Sequence, residues 1–469
     1  MKFDISIKNF GKVNNAQIKI RPFTVIAGQN SSGKSFVTKS LYSFFSTANA
    51  DHITIGTFNK IDTLKFLSSH LHKSLSNPSK LIESLCIDVL DHIDAIETIA
   101  SDIFQKNTFS RQIDKSSLLK NPIEKLELTL DKLNIQATDK IKYSSISQIL
   151  LHISSTLNTL KSIINNPNDF FLTAIENGTV NSLKENFQVS SLHDLKNYHV
   201  DGDPIIDIDT LGTIRIKKEA VSFKINSTDS IDKLQELYNV VYIESPVYWK
   251  MKDALKSVRD DKLLRGRRLF KKTDYLVGVP KHFYDLVDLL EDKAKSGSCV
   301  NILNKTINET IGGEIIISES GEFYFKENGY EKSINLHTTA LGVTNLGIIS
   351  LLLERGVLAK GSYLFVDEPE VHLHPAWQKI MIDTLFTLSK QGINVVIASH
   401  SIDMMKCIEN IMEDIDDENG NFVATHFGIN QLSTDGNSIN DSDNPFKRIA
   451  AIKEDLGKSF YEMFIDSKW

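Results

Sequence analysis

The spacing of hydrophobic positions changes character along this 469-residue chain, and each change marks a different kind of element. Near the start Phe3, Ile5 and Ile7 alternate with polar residues, as do Ala16, Ile18 and Ile20, and this period of two predicts β-strands. The run Phe23-Thr-Val-Ile-Ala27 is apolar and β-branched and predicts a buried strand. From about 60 to 195 strand signals vanish and apolar residues recur at helical spacing. Examples are Ile61, Leu64, Leu67, Leu71 and Leu75, then Val89, Ile93, Ile96, Ala100 and Ile103, then Ile146, Leu150, Ile153, Leu157, Leu160 and Ile164. The last set steps by four and three, the seam of a helix packing on a helix. Asn77-Pro78, Asn121-Pro122 and Asn166-Pro167 interrupt the pattern, so a compact set of helices is expected and not one long coiled coil. These stripes read as a bundle core or as a partner-docking face.

Strand signals then return. Ile205–Ile208, Thr213–Ile216 and Val221–Ile225 read as a β-meander, and Val240–Ile243 as a buried strand stopped by Pro246. Glu244 falls near that strand's carboxyl end, where α/β sites gather, and reads as a site residue or a solvated strand end. Ser362–Val366 and Ile393–Ile397 are two further buried-strand runs. The expected organisation is an N-terminal lobe at 1–55, a helical insertion at 56–200 and a C-terminal lobe at 201–469.

Chemistry sits at the ends of the buried strands. Gly28-Gln29-Asn30-Ser31-Ser32-Gly33-Lys34-Ser35 comes directly after the first of them and fits the phosphate-loop pattern. Glycines let backbone N–H groups curl around phosphate oxygens, Lys34 reaches the β and γ phosphates, and Ser35 offers a hydroxyl to Mg²⁺. Ser362–Val366 runs into Asp367-Glu368, which resembles a Walker B element: Asp367 for Mg²⁺, Glu368 for the water that attacks the γ-phosphate. Ile393–Ile397 leads to Ser399-His400-Ser401, placing His400 either to sense the γ-phosphate or as a structural residue.

Composition narrows the picture without directing it. A chain that is 41% hydrophobic and 24% charged can bury a large core, and its length suggests two or three domains of roughly 100–200 residues. The net charge of −7 argues against a surface that tracks nucleic acid throughout. A local basic run, Lys262–Lys272 with Arg265, Arg267 and Arg268, reads as a solvated helix face or as a nucleic-acid or acidic-protein contact. The acidic stretch Glu409–Glu418 reads as a solvated turn or loop. Cys86, Cys299 and Cys407 are scattered, which fits a reducing compartment. With no signal-type apolar core and no apolar run of membrane length, a cytoplasmic chain is expected.

Taken in order, these motifs resemble the ABC-type ATPases that include the SMC, Rad50 and RecF proteins, and more closely the overcoming-lysogenization-defect-like ATPases of bacterial defence systems. Asn9-Phe10-Gly11 is similar to that group's opening. Asp367-Glu368-Pro369-Glu370-Val371-His372-Leu373-His374-Pro375 with Trp377-Gln378 is similar to its extended Walker B and D-loop. The resemblance covers 1–50 and about 240–405 directly, and the helical insertion only in kind. It implies an α/β fold: an ABC-type P-loop ATPase head with a mixed β-sheet, interrupted by an inserted all-helical domain. It implies ATP and Mg²⁺ as cofactors and paired heads in a homo-oligomer. The Thr338–Val343 segment stands where the signature helix is expected, so that Ala340 and Gly342 of one subunit would face ATP on another, with Leu341 in place of the usual serine. Thr338 or Thr339 could cap that helix instead. His372 and His374, with no third ligand evident, read as D-loop packing and not as a metal pair.

Only 69 residues lie beyond His400, fewer than a fused Toprim nuclease domain needs. The resemblance therefore implies a nuclease-free ATPase of the PARIS or Septu kind, paired with a separately encoded effector such as a nuclease and triggered by a phage product. The rival is a RecF- or Rad50-like repair or chromosome-maintenance ATPase whose heads clamp DNA.

Overall fold

The alternating runs at the start form an antiparallel hairpin of β1 (Phe3–Phe10) and β2 (Val13–Ile20), with Phe3, Ile5, Ile7 and Phe10 of β1 all facing the core. The structure is a computed structural model of the chain and describes residues 2–75, 78–104, 109–138, 144–259, 278–291, 301–415, 421–439 and 442–466. The basic run Lys262–Lys272 and Cys299 lie outside the described residues. β1 also pairs with β4 (Ile205–Ile208), which continues through β5 (Gly212–Lys217) to β6 (Ala220–Ile225). The expected meander is thus one end of a five-stranded antiparallel sheet ordered β2-β1-β4-β5-β6.

The all-apolar runs meet in a second sheet. It contains β3 (Phe23–Ala27), β7 (Val240–Ile243), β11 (Tyr363–Asp367), β12 (Asn394–Ser399), β13 (Phe427–Leu432) and β14 (Ser438–Ile439). Their order is β14-β13-β3-β12-β11-β7, parallel except at β14. Every residue of β3, β7, β11, β12 and β13 is buried, which is why these strands read as continuous hydrophobic runs. A small antiparallel sheet joins β8 (Gly313–Ile317), β9 (Phe323–Glu327) and β10 (Ile334–Asn335).

The chain divides into two compact units. One comprises Met1–Asn49, Asn177–Ser230 and Glu236–Trp469 and holds the sheets; the other comprises Ala50–Glu176 and Ile231–Gln235. After α1 (Lys34–Ala48) of the first unit, the second is built on α2 (His52–Ser74), α3 (Lys80–Phe104), α4 (Phe109–Ser116), α5 (Lys120–Thr138) and α6 (Ser144–Asn165). α2 packs along α6 and α3, and α3 along α5. Ile61, Leu64, Ile93, Ile96, Ala100, Ile153 and Leu160 are fully buried, so these stripes form a bundle core. Asn121-Pro122 does not interrupt a helix as expected. Pro122 lies in the first turn of α5, and Pro167 opens the next helix, α7 (Pro167–Phe187), positions where the missing N–H has no intrahelical partner to lose.

The acidic stretch also departs from expectation. Up to Ile415 it is helical, within Ile402–Ile415, and Glu409 is buried there, bound to Lys406 at 2.7 Å and to Lys453. Among the described residues no helix is long and apolar enough to cross a membrane.

Candidate functional site

Parallel pairing in register assembles the site. Ala27 pairs with Ser399, Ala398 with Asp367, and Val366 with Ile243, so four strands end at one level. The residues next along the chain leave the sheet side by side: Gly28–Gly33 after β3, His400 after β12, Glu368 after β11 and Glu244 after β7. The carboxyl edge of such a sheet is where α/β folds bind ligands.

The phosphate loop is a tight turn on a packed floor. A side chain at Gly28 would put its Cβ 2.4 Å from the Leu432 carbonyl oxygen and 2.8 Å from Ser32 Oγ, so only glycine fits. Gln29, Asn30 and Ser31 are exposed, and Ser31 is left-handed at φ 64°. Gly33 is the N-cap of α1 with no side-chain cap, which leaves the helix's first N–H groups for an anion. Lys34, 5% exposed, donates through Nζ to the Gly28 and Gln29 carbonyls at 2.9 Å each. Burial depresses its pKa, while Glu368, Asp367 and Glu370 push it back up. The ammonium thus sits among three carboxylates.

Beside it, Ser35 and Asp367 are the oxygens expected to hold Mg²⁺. Asp367 Oδ2 accepts from the Tyr242 hydroxyl at 3.0 Å, and that hydroxyl lies 3.0 Å from Thr38 Oγ1. Asp367 Oδ1 and Ser32 Oγ are buried with no hydrogen-bond partner. Burial pushes the Asp367 carboxyl up to about 6, with the Ser35 hydroxyl pulling the other way. A buried carboxylate with an open oxygen beside a hydroxyl is the hard oxygen donor set that Mg²⁺ takes, and a cation there would favour its charged form. The residues present fit the metal.

Glu368 is different from its neighbours. Its side chain is 43% exposed, its backbone is left-handed at φ 50°, and its N–H is tied to the Ala398 carbonyl at 2.9 Å. Such backbone in a non-glycine residue costs about 1–3 kcal/mol and concentrates at functional sites. His400 Nδ1 lies 3.5 Å from Glu368 Oε1 and 3.1 Å from Glu370 Oε1.

Three partners in this site have no role assigned from the sequence: Tyr242, which the motifs do not include, and Gln378 and Glu370, which they include only as part of the extended Walker B and D-loop segment. Tyr242 holds Asp367 from β7, and its only outward sign is a hydroxyl in an otherwise apolar strand. Gln378 accepts from Ser401 Oγ at 2.9 Å and donates to the Leu373 carbonyl at 3.3 Å, tying the segment after β11 to the segment after β12. Glu370 accepts from Ser399 Oγ and from the His400 N–H, both at 2.9 Å.

Glu244 lies in a network at this edge and is not a solvated strand end. Lys39 Nζ is 2.7 Å from one of its oxygens and His282 Nε2 is 3.0 Å from the other. Burial alone would raise the carboxyl, but the His282 hydrogen bond and the Lys39 charge outweigh it and hold it at about 2. His282, 1% exposed, is itself lowered by burial despite Glu244. The bond is therefore a neutral imidazole donating Nε2–H, which fits a buried Nδ1 that has no partner, and Lys39 carries the balancing charge. A carboxyl lowered from 4.5 to about 2 stabilises the fold above pH 4.5 and loses that contribution as pH falls through about 2. Glu244→Gln is expected to be about 2–3 kcal/mol less stable than the parent at pH 7. Denaturant midpoints measured across pH should show that gap narrowing below about pH 4.5; a gap independent of pH would disprove the assignment.

The helix Leu341–Glu354 begins after an exposed Ala340 N-cap with no side-chain cap. Thr338 and Thr339 do not cap it; their hydroxyls donate to the Asn335 carbonyl at 2.9 and 3.4 Å. Gly342 is buried against the segment after β11: a Cβ there would lie 3.1 Å from the His372 carbonyl oxygen and 3.4 Å from Trp377. Among the described residues no hydrogen bond or ion pair joins Ala340 or Gly342 to the phosphate loop of the same chain. His374 caps the helix Pro375–Lys390, and no cluster of three potential ligands is found among the described residues that would make it or His372 a metal site.

Residues 1–405 match the AAA ATPase domain family AAA_15. The chain belongs to that family. The AAA ATPase family implies nucleotide binding, and the fold is that of an α/β P-loop ATPase with a mixed sheet and a helical insertion. Among solved structures this ATPase is similar to an Smc head bound to the C-winged helix domain of ScpA, at 11% identity over 87% of this chain and 91% of that one, TM-score 0.34. It is also similar to an Smc head with a coiled coil and joint from Pyrococcus yayanosii, at 11% identity over 97% and 99%, TM-score 0.32. A third is an Smc head with an extended coiled coil bound to the C-terminal domain of ScpA from Pyrococcus furiosus, at 12% identity over 93% and 94%, TM-score 0.28. The curated proteins give no match.

Proposed function

We propose that this ATPase is the switch subunit of a bacterial antiphage defence complex. In this reading it hydrolyses ATP between paired heads and controls a separately encoded effector, such as a nuclease, in response to a phage product. The observation that carries the catalytic part is the level ending of β3, β12 and β11, which sets the phosphate loop, His400 and Asp367-Glu368 side by side. The defence setting rests on the resemblance of the Asp367–Pro375 segment to the overcoming-lysogenization-defect-like ATPases.

The residues divide the work by their surroundings. Backbone N–H groups of Gln29–Gly33 and the Lys34 ammonium bind the phosphates, and Ser35 and Asp367 hold Mg²⁺. The metal supplies charge neutralisation at the phosphate oxygens. Glu368, half-exposed and fixed by its backbone bond, orients a water and takes its proton as the water oxygen bonds the γ-phosphorus and the bond to the β–γ bridging oxygen breaks. His400 faces the γ-phosphate. Gly342, packed on His372 and Trp377, ties the start of the signature helix to the segment just beyond Glu368, so loss of the γ-phosphate is communicated to the head-pairing surface.

A native pull-down of tagged Glu368→Gln protein from cells carrying its own locus, with and without nuclease, tests this setting. Co-purification of a protein from a neighbouring gene that survives nuclease supports the defence complex. Recovery of nuclease-sensitive DNA alone, with DNA-stimulated turnover, replaces it by a DNA-clamping repair ATPase.

A further inference from the structure

We infer that Glu370 is a positioning residue that holds His400 as a fixed, charged donor toward the nucleotide's terminal phosphate. The inference rests on the ATPase reading above and assigns a role that the phosphate loop, Asp367 and Glu368 leave open.

The geometry is specific to the pair. Glu370 is 8% exposed and three residues beyond Asp367, and its carboxylate is bonded to the start of the His400 segment. One oxygen, Oε1, accepts Ser399 Oγ–H and the His400 backbone N–H at 2.9 Å each, which fixes where His400 leaves β12. The same oxygen lies 3.1 Å from His400 Nδ1, off the line of a hydrogen bond, so the contact is electrostatic. Glu370 Oε2 and His400 Nδ1 are both buried without a hydrogen-bond partner. A carboxylate engaged by Nδ1 fixes the ring and leaves Nε2 for the ligand.

The two carboxylates beside the imidazole act in the same sense. Glu370 and then Glu368 favour its protonated form, burial and the Lys34 ammonium oppose it, and the net effect raises the His400 pKa. Glu370 responds in the opposite direction: burial would raise its carboxyl, but His400 keeps it low. A protonated imidazole donates a charge-assisted hydrogen bond, about twice as strong as a neutral one. A simple structural tie would need neither the charge nor the open Nε2.

The test reads His400 directly. Ring signals of histidine-labelled protein are tracked by NMR from pH 5 to 9, with His400→Gln identifying the signal among the 13 histidines. In the parent His400 should titrate above the ordinary histidine value. In Glu370→Gln, whose amide oxygen can still accept from Ser399 and the His400 N–H, the midpoint should fall. Turnover should drop about 10–100-fold, the loss seen when the partner that orients a metal-ligating histidine is removed. The high-pH limb of its rate profile should move with the NMR midpoint, while KM for ATP stays within about twofold. An unshifted midpoint in Glu370→Gln overturns the inference. If the midpoint falls in Glu370→Gln but the parent protein shows no turnover, the pairing stands and the ATPase reading falls. Should Glu370→Gln fail to fold, Glu370→Asp, which keeps the charge but shortens its reach, must give a smaller shift in the same direction or the inference is lost.

Discussion

Glu368→Gln protein is expected to bind ATP as tightly as the parent and to hydrolyse it about 10²–10⁴-fold more slowly, the range over which a positioned general base acts. Four carboxylates lie at the carboxyl edge of the sheet, and their surroundings separate them. Asp367 is buried, held by Tyr242 and pushed toward its neutral form. Glu244 is occupied by Lys39 and His282. Glu370 is occupied by Ser399 and His400. Glu368 alone of these is exposed enough to meet a water, and the left-handed backbone that presents it is anchored to β12 by its own N–H. Glutamine preserves the size and the backbone bond and removes only the proton acceptor. With hydrolysis stopped, ATP-bound heads should accumulate as a larger species in size-exclusion chromatography with light scattering. Turnover at the parental rate would transfer the base to another group, and ATP-dependent monomers would remove the paired-head reading.

The parts of this site that can be read along the chain are those in which chemistry comes directly after a strand. Phe23–Ala27, Tyr363–Asp367 and Asn394–Ser399 are buried on both faces, so each appears as an apolar run whose end is marked by a change to polar residues. What cannot be read is which strand neighbours which. Phe23 pairs with Val395, 372 positions away in sequence, and nothing local encodes that choice. Glu370 illustrates the consequence. Its partners lie on a strand end 29 and 30 residues further on, so along the chain it is one residue of the extended Walker B and D-loop segment with nothing local to show what it binds. Thr338 and Thr339 have the right chemistry for a helix cap, but the turn that Asn335 opens uses their hydroxyls first. Pro122 misleads for a related reason: its effect depends on whether it enters a helix at the first turn or in the interior, and only the boundary at Lys120 decides that.

Lys34→Ala should lose ATP binding while keeping the fold, and the two effects are separable because Lys34 has a different partner in each state. Without nucleotide its ammonium rests on the carbonyls of Gly28 and Gln29, two charge-assisted bonds that hold the loop closed. The same ammonium is buried, and burial disfavours its charge even with Asp367, Glu368 and Glu370 nearby. Alanine removes the bonds and the desolvation cost together, so the net change in stability without ATP is expected to be within about 1 kcal/mol. With ATP the balance differs, since the phosphates lose the one side chain of the loop that carries positive charge. Ligand that binds only the folded state stabilises the parent by about 2.7 kcal/mol at a hundredfold excess over Kd. Thermal unfolding with Mg²⁺ and increasing ATP should therefore show an upward shift for the parent and none for Lys34→Ala, from starting points that nearly coincide. An equal ATP-dependent shift in both proteins would place the nucleotide elsewhere. A variant already unfolded without ATP would make the two carbonyl bonds the larger contribution of Lys34, structural before it is functional.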